Sequence, residues 1–406
     1  MVESRAVVQD EKRGIQTLKL LQFIHLAGWG AFSVFFPLYL KECGISYTEI
    51  GIIVGVPVFI GIFTGVMWGL FSDIIGRRKP FLVQASLGMA LFTFAVTLVS
   101  SFGWFLLLGV VSALFVPLVL ELIVASWFRA STYLGRATSF SSLAIWGAVG
   151  WAVTTALAGV AAFFFGPKSA MYLASILYFL ATVFSLWIPE SRETQRTSPR
   201  TDQHPTFARR FLSYFAPLRE VMKNRKMVIL LLTSFPLAVA MNAFRQFFSL
   251  YLGFLGGSFL LIGLVLAIPA LIEVPVFLRV GKLSDRLGAR KPLLVFSSAM
   301  YSLIFFIVFL VPIPLLILIL YSLLEPLAWP PFYTGTSTLI SEVVPRESWV
   351  TGQTLFSIWM WSIAGLIGPL VGGIISDAWG LSSTLVVVSL LAAVSGLLYF
   401  LIIREK

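Results

Sequence analysis

Four polar side chains share one helical face inside an apolar stretch of the chain, and they are the first candidates for chemistry. They are spaced at i, i+3, i+4 and i+7, which places them on one side of a helix: Asn242, Arg245, Gln246 and Ser249. A charge inside an apolar helix is costly and usually faces a cavity or a partner. We therefore predict that Asn242, Arg245 and Gln246 bind a substrate. The alternatives for Arg245 are an ion pair with a buried carboxylate, or extension of the side chain to the membrane interface.

Three acidic side chains also lie in apolar stretches: Glu121, Glu273 and Glu325. A carboxyl group in a low-dielectric interior can exchange a proton near neutral pH. We predict a role in proton transfer or substrate binding for these residues, with a structural ion pair to Arg245 as the alternative.

Aromatic residues are candidates for contacts with the apolar part of a substrate. The candidates are Trp29, Trp329 and Tyr333. Trp359 and Trp361 are two positions apart on one helix, so they cannot both face inward.

The composition indicates that most of the chain is dissolved in lipid. Of 406 residues, 58% are hydrophobic and 12% are charged, whereas a soluble domain carries about 25% charged residues. The net charge of +11 comes from short basic clusters between apolar runs, so we predict no nucleic-acid partner. Cys43 is the single cysteine, and no metal-ligand spacing or nucleophile–base pair is visible. We expect no metal, no cofactor, no catalytic residues and no enzyme activity.

Twelve apolar stretches are long enough to span a bilayer. They are 17–40, 48–71, 81–100, 104–128, 137–165, 170–188, 227–252, 259–280, 293–312, 314–340, 350–376 and 382–403. The chain is therefore predicted to contain two six-helix bundles, 17–188 and 227–403, joined by a linker at 189–226. Short tails, 1–16 and 404–406, flank the bundles.

The basic residues predict the orientation of these spans. If both termini are cytoplasmic, 26 of the 29 Lys and Arg residues lie at or beyond the cytoplasmic ends of the spans, as the positive-inside rule requires. The exceptions are Lys41 and Lys168, which fall outside, and Arg245. We expect a multi-pass protein of the plasma or bacterial inner membrane with both termini inside, and we expect a monomer.

The two bundles are related by an internal repeat with an offset of 212 residues. Residues 31–40 read AFSVFFPLYL and residues 243–252 read AFRQFFSLYL, so Arg245 and Gln246 replace Ser33 and Val34. After the second span the chain reads GLFSDIIGRRKP, and after the eighth it reads GKLSDRLGARKP. Two halves that run in the same direction are typical of one transporter architecture.

These duplicated loops closely resemble the signature of the major facilitator superfamily, G-x-L-x-D-x-x-G-R-[RK], and the resemblance covers residues 17–403. GLIGPLVGG at 365–373 is similar to the glycine–proline motif of that family, and Trp151 stands where the corresponding proline of the fifth span would be. The resemblance implies an all-α membrane protein in which twelve transmembrane helices form two pseudo-symmetric bundles. It also implies a gating role for the signature residues, which would latch the cytoplasmic side: Gly69, Asp73, Gly76, Arg77, Arg78, Gly281, Asp285, Gly288 and Arg290.

The sequence as a whole predicts a secondary transporter that moves a small organic solute by alternating access between the two bundles. The face with Arg245 favours proton-coupled symport of a polar or anionic solute, driven by the proton gradient. The membrane carboxyl groups and the 37 phenylalanines keep a proton-antiport exporter of drugs or metabolites as the alternative. A receptor or passive facilitator with this fold is a third, weaker hypothesis.

Overall fold

The computed structural model describes residues 2–75, 79–115, 136–188 and 207–403. All regular secondary structure in these ranges is helical. Eleven helices are long and apolar enough to cross a membrane, and a shorter apolar helix, with its terminal turn, runs from Phe102 to Phe115. The prediction of an all-α, twelve-helix membrane protein is confirmed.

The first half contains six helices, of which the first begins within the predicted tail 1–16 and the fourth, predicted at 104–128, is described only to residue 115. Their bounds are Val2–Glu42, Tyr47–Ile75, Lys79–Ala95, Phe102–Ser112, Arg136–Phe165 and Lys168–Ser185. The first of these has its membrane-length part at Gln16–Glu42. We refer to the transmembrane helices below as the first to the twelfth span.

The second half begins after a helix in the linker, Phe207–Met222. Its spans are Arg225–Phe254, Phe259–Leu287, Lys291–Leu310, Pro314–Val343, Trp349–Trp379 and Leu381–Ile402. The eleventh span contains one irregularity, a π-helical turn at Ile358–Ile363. A wide turn of this kind often marks a functional region of a helix.

The ends of two helices in the second half are fixed by specific residues. The Asn224 side chain accepts hydrogen bonds from the backbone N–H groups of Lys226 and Met227, and its amide donates to the Val343 carbonyl oxygen over 2.7 Å. The start of the seventh span is thus tied to the end of the tenth. Gly288 ends the eighth span with φ of 61°, a left-handed conformation that glycine adopts without strain.

The two halves repeat the same packing. In the first half, the first span packs against the fifth and sixth, and the third packs against the sixth. In the second half, the seventh span packs against the eleventh and twelfth, and the ninth packs against the twelfth. The halves meet along two pairs of spans, the second with the eleventh and the fifth with the eighth.

Glycines bring the helices of these two pairs into backbone contact. A Cβ atom on Gly263 would lie 2.7 Å from the Thr155 carbonyl oxygen, and one on Gly55 would lie 3.0 Å from the Leu366 carbonyl oxygen. Small residues allow helices in lipid to approach this closely. These contacts lie toward the ends of the helices that the charge pattern predicts to be external.

Candidate functional site

Arg245 lies inside the second half, among residues of four other spans. Its guanidinium carbon is 5.8 Å from the centre of the Trp361 ring on the eleventh span. Tyr301, Glu273 and Glu325, on the ninth, eighth and tenth spans, are near enough to interact with its charge. The Arg245 side chain is nevertheless incompletely covered by protein atoms, so we infer that its head group lines an open cavity within the bundle. This position disagrees with the alternative in which the side chain extends to the membrane interface.

The two carboxyl groups near Arg245 also approach each other. Glu273 and Glu325, on neighbouring spans, lie close enough for their carboxyl groups to interact, and a proton on one of two such groups relieves the repulsion between their charges. Glu325 is only 9% exposed. Among the described residues, neither carboxylate forms a direct ion pair with Arg245. The cluster thus contains one cation and two carboxyl groups that interact through space.

A row of aromatic rings extends from Arg245 toward the C-terminal end of the tenth span. The Trp361 ring meets Trp329 edge to face, with the ring centres 5.7 Å apart, and Trp329 contacts Tyr333 at 5.6 Å. Tyr333 is 52% exposed. The structure therefore brings the predicted residues Arg245, Trp329 and Tyr333 to one surface, and Trp361 connects them.

Two aromatic residues beside the charged groups were not predicted from the sequence as site residues. Tyr301 and Tyr321 both lie near Glu325, Glu273 and Arg245. A phenol has a donor that a neighbouring carboxylate can accept. Tyr321 lies four residues before Glu325 on the tenth span, a spacing that places the two on one helical face. Tyr301 lies on the ninth span, where its spacing gives no such signal.

The π turn of the eleventh span receives a hydrogen bond from Asn242. The Asn242 amide donates to the Met360 carbonyl oxygen over 2.9 Å and to the Ala238 carbonyl oxygen over 2.8 Å. Both amide hydrogens are thus used within the protein, which leaves the amide oxygen for a ligand. The two tryptophans of the turn face differently, since the Trp359 indole N–H donates to the Leu231 carbonyl oxygen over 2.8 Å while Trp361 faces Arg245.

Several buried polar atoms on the seventh and tenth spans have no hydrogen-bond partner among the described residues. They are the Gln246 amide nitrogen, the Ser249 and Ser322 hydroxyl oxygens, and one carboxyl oxygen of Glu325. Gln246 is only 8% exposed. Buried polar groups are almost always paired in folded proteins, so this region favours a polar ligand or ordered water.

Trp29 lies in the other half of the molecule. Its ring contacts Phe32, with the centres 5.9 Å apart, and it packs partly buried against the core. Nearby on the first span, His25 is a buried packing residue whose ring nitrogen Nε2 lies 2.8 Å from the Ser86 hydroxyl oxygen. The ring contact of Trp29 with Phe32 does not join it to the Arg245 cluster.

The architecture and the sequence both place the chain in a known family. A family model described as the MFS_1 like family matches residues 15–387, which is most of the chain. The chain belongs to this family of the major facilitator superfamily. It is a membrane transporter, and its relatives are transporters rather than enzymes.

Its curated relatives are distant in sequence and similar in length. The multi-drug resistance efflux pump PmrA of Streptococcus pneumoniae serotype 4 is 23% identical over 375 residues, covering 89% of this chain and 88% of the pump. The multidrug resistance protein MdtG of Escherichia coli O1:K1 is 25% identical over 404 residues, covering 93% of this chain and 91% of MdtG.

Solved structures agree on the fold. The nucleoside transporter NupG has a TM-score of 0.82 at 16% identity, and the match covers 97% of this chain and 100% of NupG. A bacterial homologue of the lysosomal transporter Spinster, in an inward-facing and unoccupied conformation, has a TM-score of 0.72 at 16% identity and covers 97% of this chain and 96% of that one. These similarities support the two-bundle fold of this MFS transporter and say nothing about its solute.

The second signature loop of this MFS transporter is partly held by ion pairing within its own half. The Arg290 side chain donates to the Ser284 carbonyl and hydroxyl oxygens, and its Nε lies 2.9 Å from a Glu342 carboxyl oxygen. Gly281 and Asp285 belong to the eighth span, and Asp285 is exposed. Arg290 thus connects the ends of the eighth and tenth spans.

The first signature loop is described less completely. Gly69 and Asp73 lie in the second span. Gly76, Arg77 and Arg78 are outside the described residues, as is Glu121. The gating role of this loop and the role of Glu121 stay predictions.

Proposed function

We propose that this MFS transporter moves a small organic solute with a polar or anionic group by alternating access, in symport with protons. The observation that carries the proposal is the exposed Arg245 beside the Glu273–Glu325 pair. A guanidinium that is accessible from a cavity and has no direct ion pair among the described residues is available to bind an anionic group through charge-assisted hydrogen bonds.

The carboxyl pair supplies a physical reason for coupling. With both glutamates ionised, Arg245 and the pair together carry a net charge of −1, which repels an anion. One proton on the pair brings the net charge to zero, so the anion binds better to the protonated protein. Because binding linkage is reciprocal, the anion also strengthens proton binding. Solute and proton would then cross together in the same direction.

The other lining residues would hold the rest of the solute. The exposed Tyr333 and the adjoining Trp329 and Trp361 rings suit a planar or apolar portion. The unpaired amide nitrogen of Gln246 suits a hydrogen-bond acceptor on the solute, since a buried donor is costly when it has no partner. The proposed site therefore combines a charged end with an aromatic end.

A second candidate is export of lipophilic cations in exchange for protons. The names of PmrA and MdtG, a multi-drug resistance efflux pump and a multidrug resistance protein, favour it. The same carboxyl pair would serve this function, but protonation would then weaken solute binding, because a cation binds better when both glutamates are ionised. Proton and cation would then compete for the site, which is the requirement for antiport.

Solute binding measured at two pH values distinguishes the two candidates. Purified protein is screened for thermal stabilisation with a set of organic anions and nucleosides and a set of lipophilic cations, at pH 6 and pH 8. A bound ligand at about 100 times its Kd stabilises by roughly 2.7 kcal/mol. Symport requires an anion or polar solute that binds more tightly at pH 6, and antiport requires a cation that binds more tightly at pH 8. Equal affinity at both pH values for every ligand found would contradict proton coupling.

We also propose a plasma-membrane location with both termini in the cytoplasm, on the basis of the basic clusters. Cys43, the single cysteine, follows the first span and is partly accessible. A membrane-impermeant thiol reagent added to intact cells should therefore label it. Labelling of Cys43 only after the membrane is opened would reverse the proposed orientation.

A further inference from the structure

A carboxylate at the end of the eleventh span binds the start of the second span, in the other half of the molecule. The Asp377 carboxyl oxygens accept hydrogen bonds from the backbone N–H of Tyr47 over 3.1 Å and of Thr48 over 2.7 Å. The N-terminus of a helix carries a partial positive charge, so the carboxylate is placed where it is favoured electrostatically. These bonds join two halves that must separate at this end for the cavity to open there.

The second span also has a cap of its own. The Glu49 carboxylate accepts from the Ser46 backbone N–H over 2.9 Å, and the Ser46 hydroxyl oxygen accepts from the Glu49 backbone N–H over 3.3 Å. This reciprocal pattern is a capping box. Since Ser46 and Glu49 satisfy the other terminal donors, the helix can keep its first turn when Asp377 moves away.

The surroundings of Asp377 bring the two spans into tight contact. A Cβ atom on Gly373, one turn before Asp377, would collide with the Tyr47 carbonyl oxygen. The Lys41 ammonium lies 4.0 Å from the centre of the Tyr47 ring and attracts Asp377. A cation and a helix N-terminus from the first half therefore both face this one carboxylate from the second half.

Among the residues that the structure describes, the other pair of spans between the halves has no such carboxylate. Gly159 approaches the Phe259 carbonyl oxygen as Gly373 approaches that of Tyr47. Four residues beyond Gly159 stands Phe163, an exposed apolar residue, at the place that Asp377 occupies after Gly373. The eighth span is capped within its own half, where the Ser258 hydroxyl oxygen accepts from the Leu261 N–H over 3.2 Å.

We propose that Asp377 is a positioning residue for the transport cycle, which holds this end of the two halves closed through the N-terminus of the second span and releases it when the cavity opens there. The inference rests on alternating access as proposed above. It assigns a one-sided latch to the second and eleventh spans, while the fifth and eighth spans serve as the packed contact opposite.

Access to a buried reporter from this end of the molecule tests the latch. In a Cys43→Ser background, Ser249→Cys places a thiol on the seventh span at a position that is 2% exposed. Its rate of modification by an impermeant thiol reagent is measured in intact cells. Labelling of native Cys43 in intact cells first shows whether the end of the molecule with Asp377 is accessible to the reagent. If Cys43 is not labelled, everted vesicles are used instead of cells.

Asp377→Asn and Asp377→Ala should speed modification of the reporter by about twofold to fivefold, the effect of losing an exposed charge interaction of modest strength. Asp377→Glu, which keeps the carboxylate, should give a modification rate between those of the wild type and of the Asn and Ala variants. The matched control is Glu49→Gln, which removes a carboxylate that bonds to Ser46 at the same helix start, within the first half, and it should leave the rate unchanged.

Two results would overturn the latch: unchanged modification in both the Asn and Ala variants, or an equal increase in Glu49→Gln. If Asp377→Ala fails to reach the membrane, the nearly isosteric Asn variant decides. The measurement uses neither solute nor proton gradient, so an error in the proposed solute or coupling leaves it interpretable. A loss of thermal stability with no change in access would assign Asp377 a structural role only.

Discussion

The first and seventh spans share a frame and differ in chemistry. Phe32 stacks on Phe36 with ring centres 4.5 Å apart and planes inclined by 25°, and Phe244 stacks on Phe248 at 4.4 Å and 26°. These pairs are related by the 212-residue offset. In the sequence, the residue that follows the first ring of each pair is Ser33 in the first span and Arg245 in the seventh. The repeat has kept the packing of the helix and changed the side chain that lies beside the stacked pair.

The same contrast extends to the neighbouring spans. Glu273 on the eighth span corresponds to Gly61 on the second, and Asn242 corresponds to Gly30. Asn242 donates to the eleventh span, while Gly30 allows the fifth span to approach, since a Cβ on Gly30 would lie 2.7 Å from the Trp151 carbonyl oxygen. Among the described residues, the charged groups inside the bundles are thus concentrated in the second half, with the first half as a packed counterpart.

The largest expected effect comes from removing the charge that distinguishes the two spans. If Arg245 contacts an anionic solute, Arg245→Ala should weaken binding about 10-fold to 150-fold, equivalent to about 1.5–3 kcal/mol for a hydrogen bond to a charged group. Ser33→Ala, at the equivalent position, should leave binding unchanged. Binding is measured by isothermal titration with the solute found in the screen.

A double variant separates this role from that of an ion-pair partner. If Arg245 mainly neutralises a carboxylate, combining Arg245→Ala with Glu325→Gln or Glu273→Gln should restore binding. If it contacts the solute, the double variants should bind as weakly as the single one. Wild-type affinity and coupling in Arg245→Ala would exclude both roles.

The next effect tests the carboxyl pair. Glu273→Gly makes the eighth span resemble the second at this position, and it leaves Glu325 and Arg245 with a net charge of zero without a proton. Anion binding should then lose its dependence on pH between 6 and 8, which for one linked proton is at most about tenfold per pH unit. Solute exchange should continue without proton movement. A pH dependence equal to that of the wild type would show that Glu273 does not bind the coupled proton, and Gly61→Ala is the control for packing.

The duplicated signature loops should differ in a smaller way. Asp73→Asn should slow solute exchange by about twofold to fivefold, the effect of losing a charge at a facing helix terminus. Asp285→Asn should slow it less, because Ala289 stands where the first loop has Arg77. Solute affinity should be preserved in both variants. If either variant exchanged solute at the wild-type rate but bound it weakly, the aspartate would be assigned to solute binding and not to gating.

The smallest effect tests whether the stacked phenylalanine pairs contribute equally to stability in the two halves. Phe36→Leu and Phe248→Leu each remove a stacked pair and other ring contacts, Phe36 with Phe92 and Phe105 and Phe248 with Tyr321. An aromatic pair contributes about 0.5–1.5 kcal/mol beyond its buried area. Because the two stacks have nearly the same geometry, the two variants should lower the thermal unfolding temperature by similar amounts. A much larger loss in one half would indicate that the frames, as well as the charges, have diverged.

Much of the fold was determined by the sequence alone. Lipid requires each crossing segment to be about 20 apolar residues long, so the hydropathy of the chain predicted twelve spans, and the repeat predicted their arrangement in two halves. The cost of a charge in an apolar helix also singled out Arg245, Glu273 and Glu325 as one group of candidates. These conclusions depend only on local composition and on comparison of the chain with itself.

The tertiary structure decided which of these residues meet and what else surrounds them. Trp361 and Tyr301 join the Arg245 cluster from the eleventh and ninth spans, and no spacing along one helix can predict contacts between helices. The hydrogen bond that the Thr48 backbone N–H donates to Asp377 joins residues 329 positions apart in opposite halves. It depends on how closely glycines let two helices approach, which is a property of the packed molecule and not of either segment.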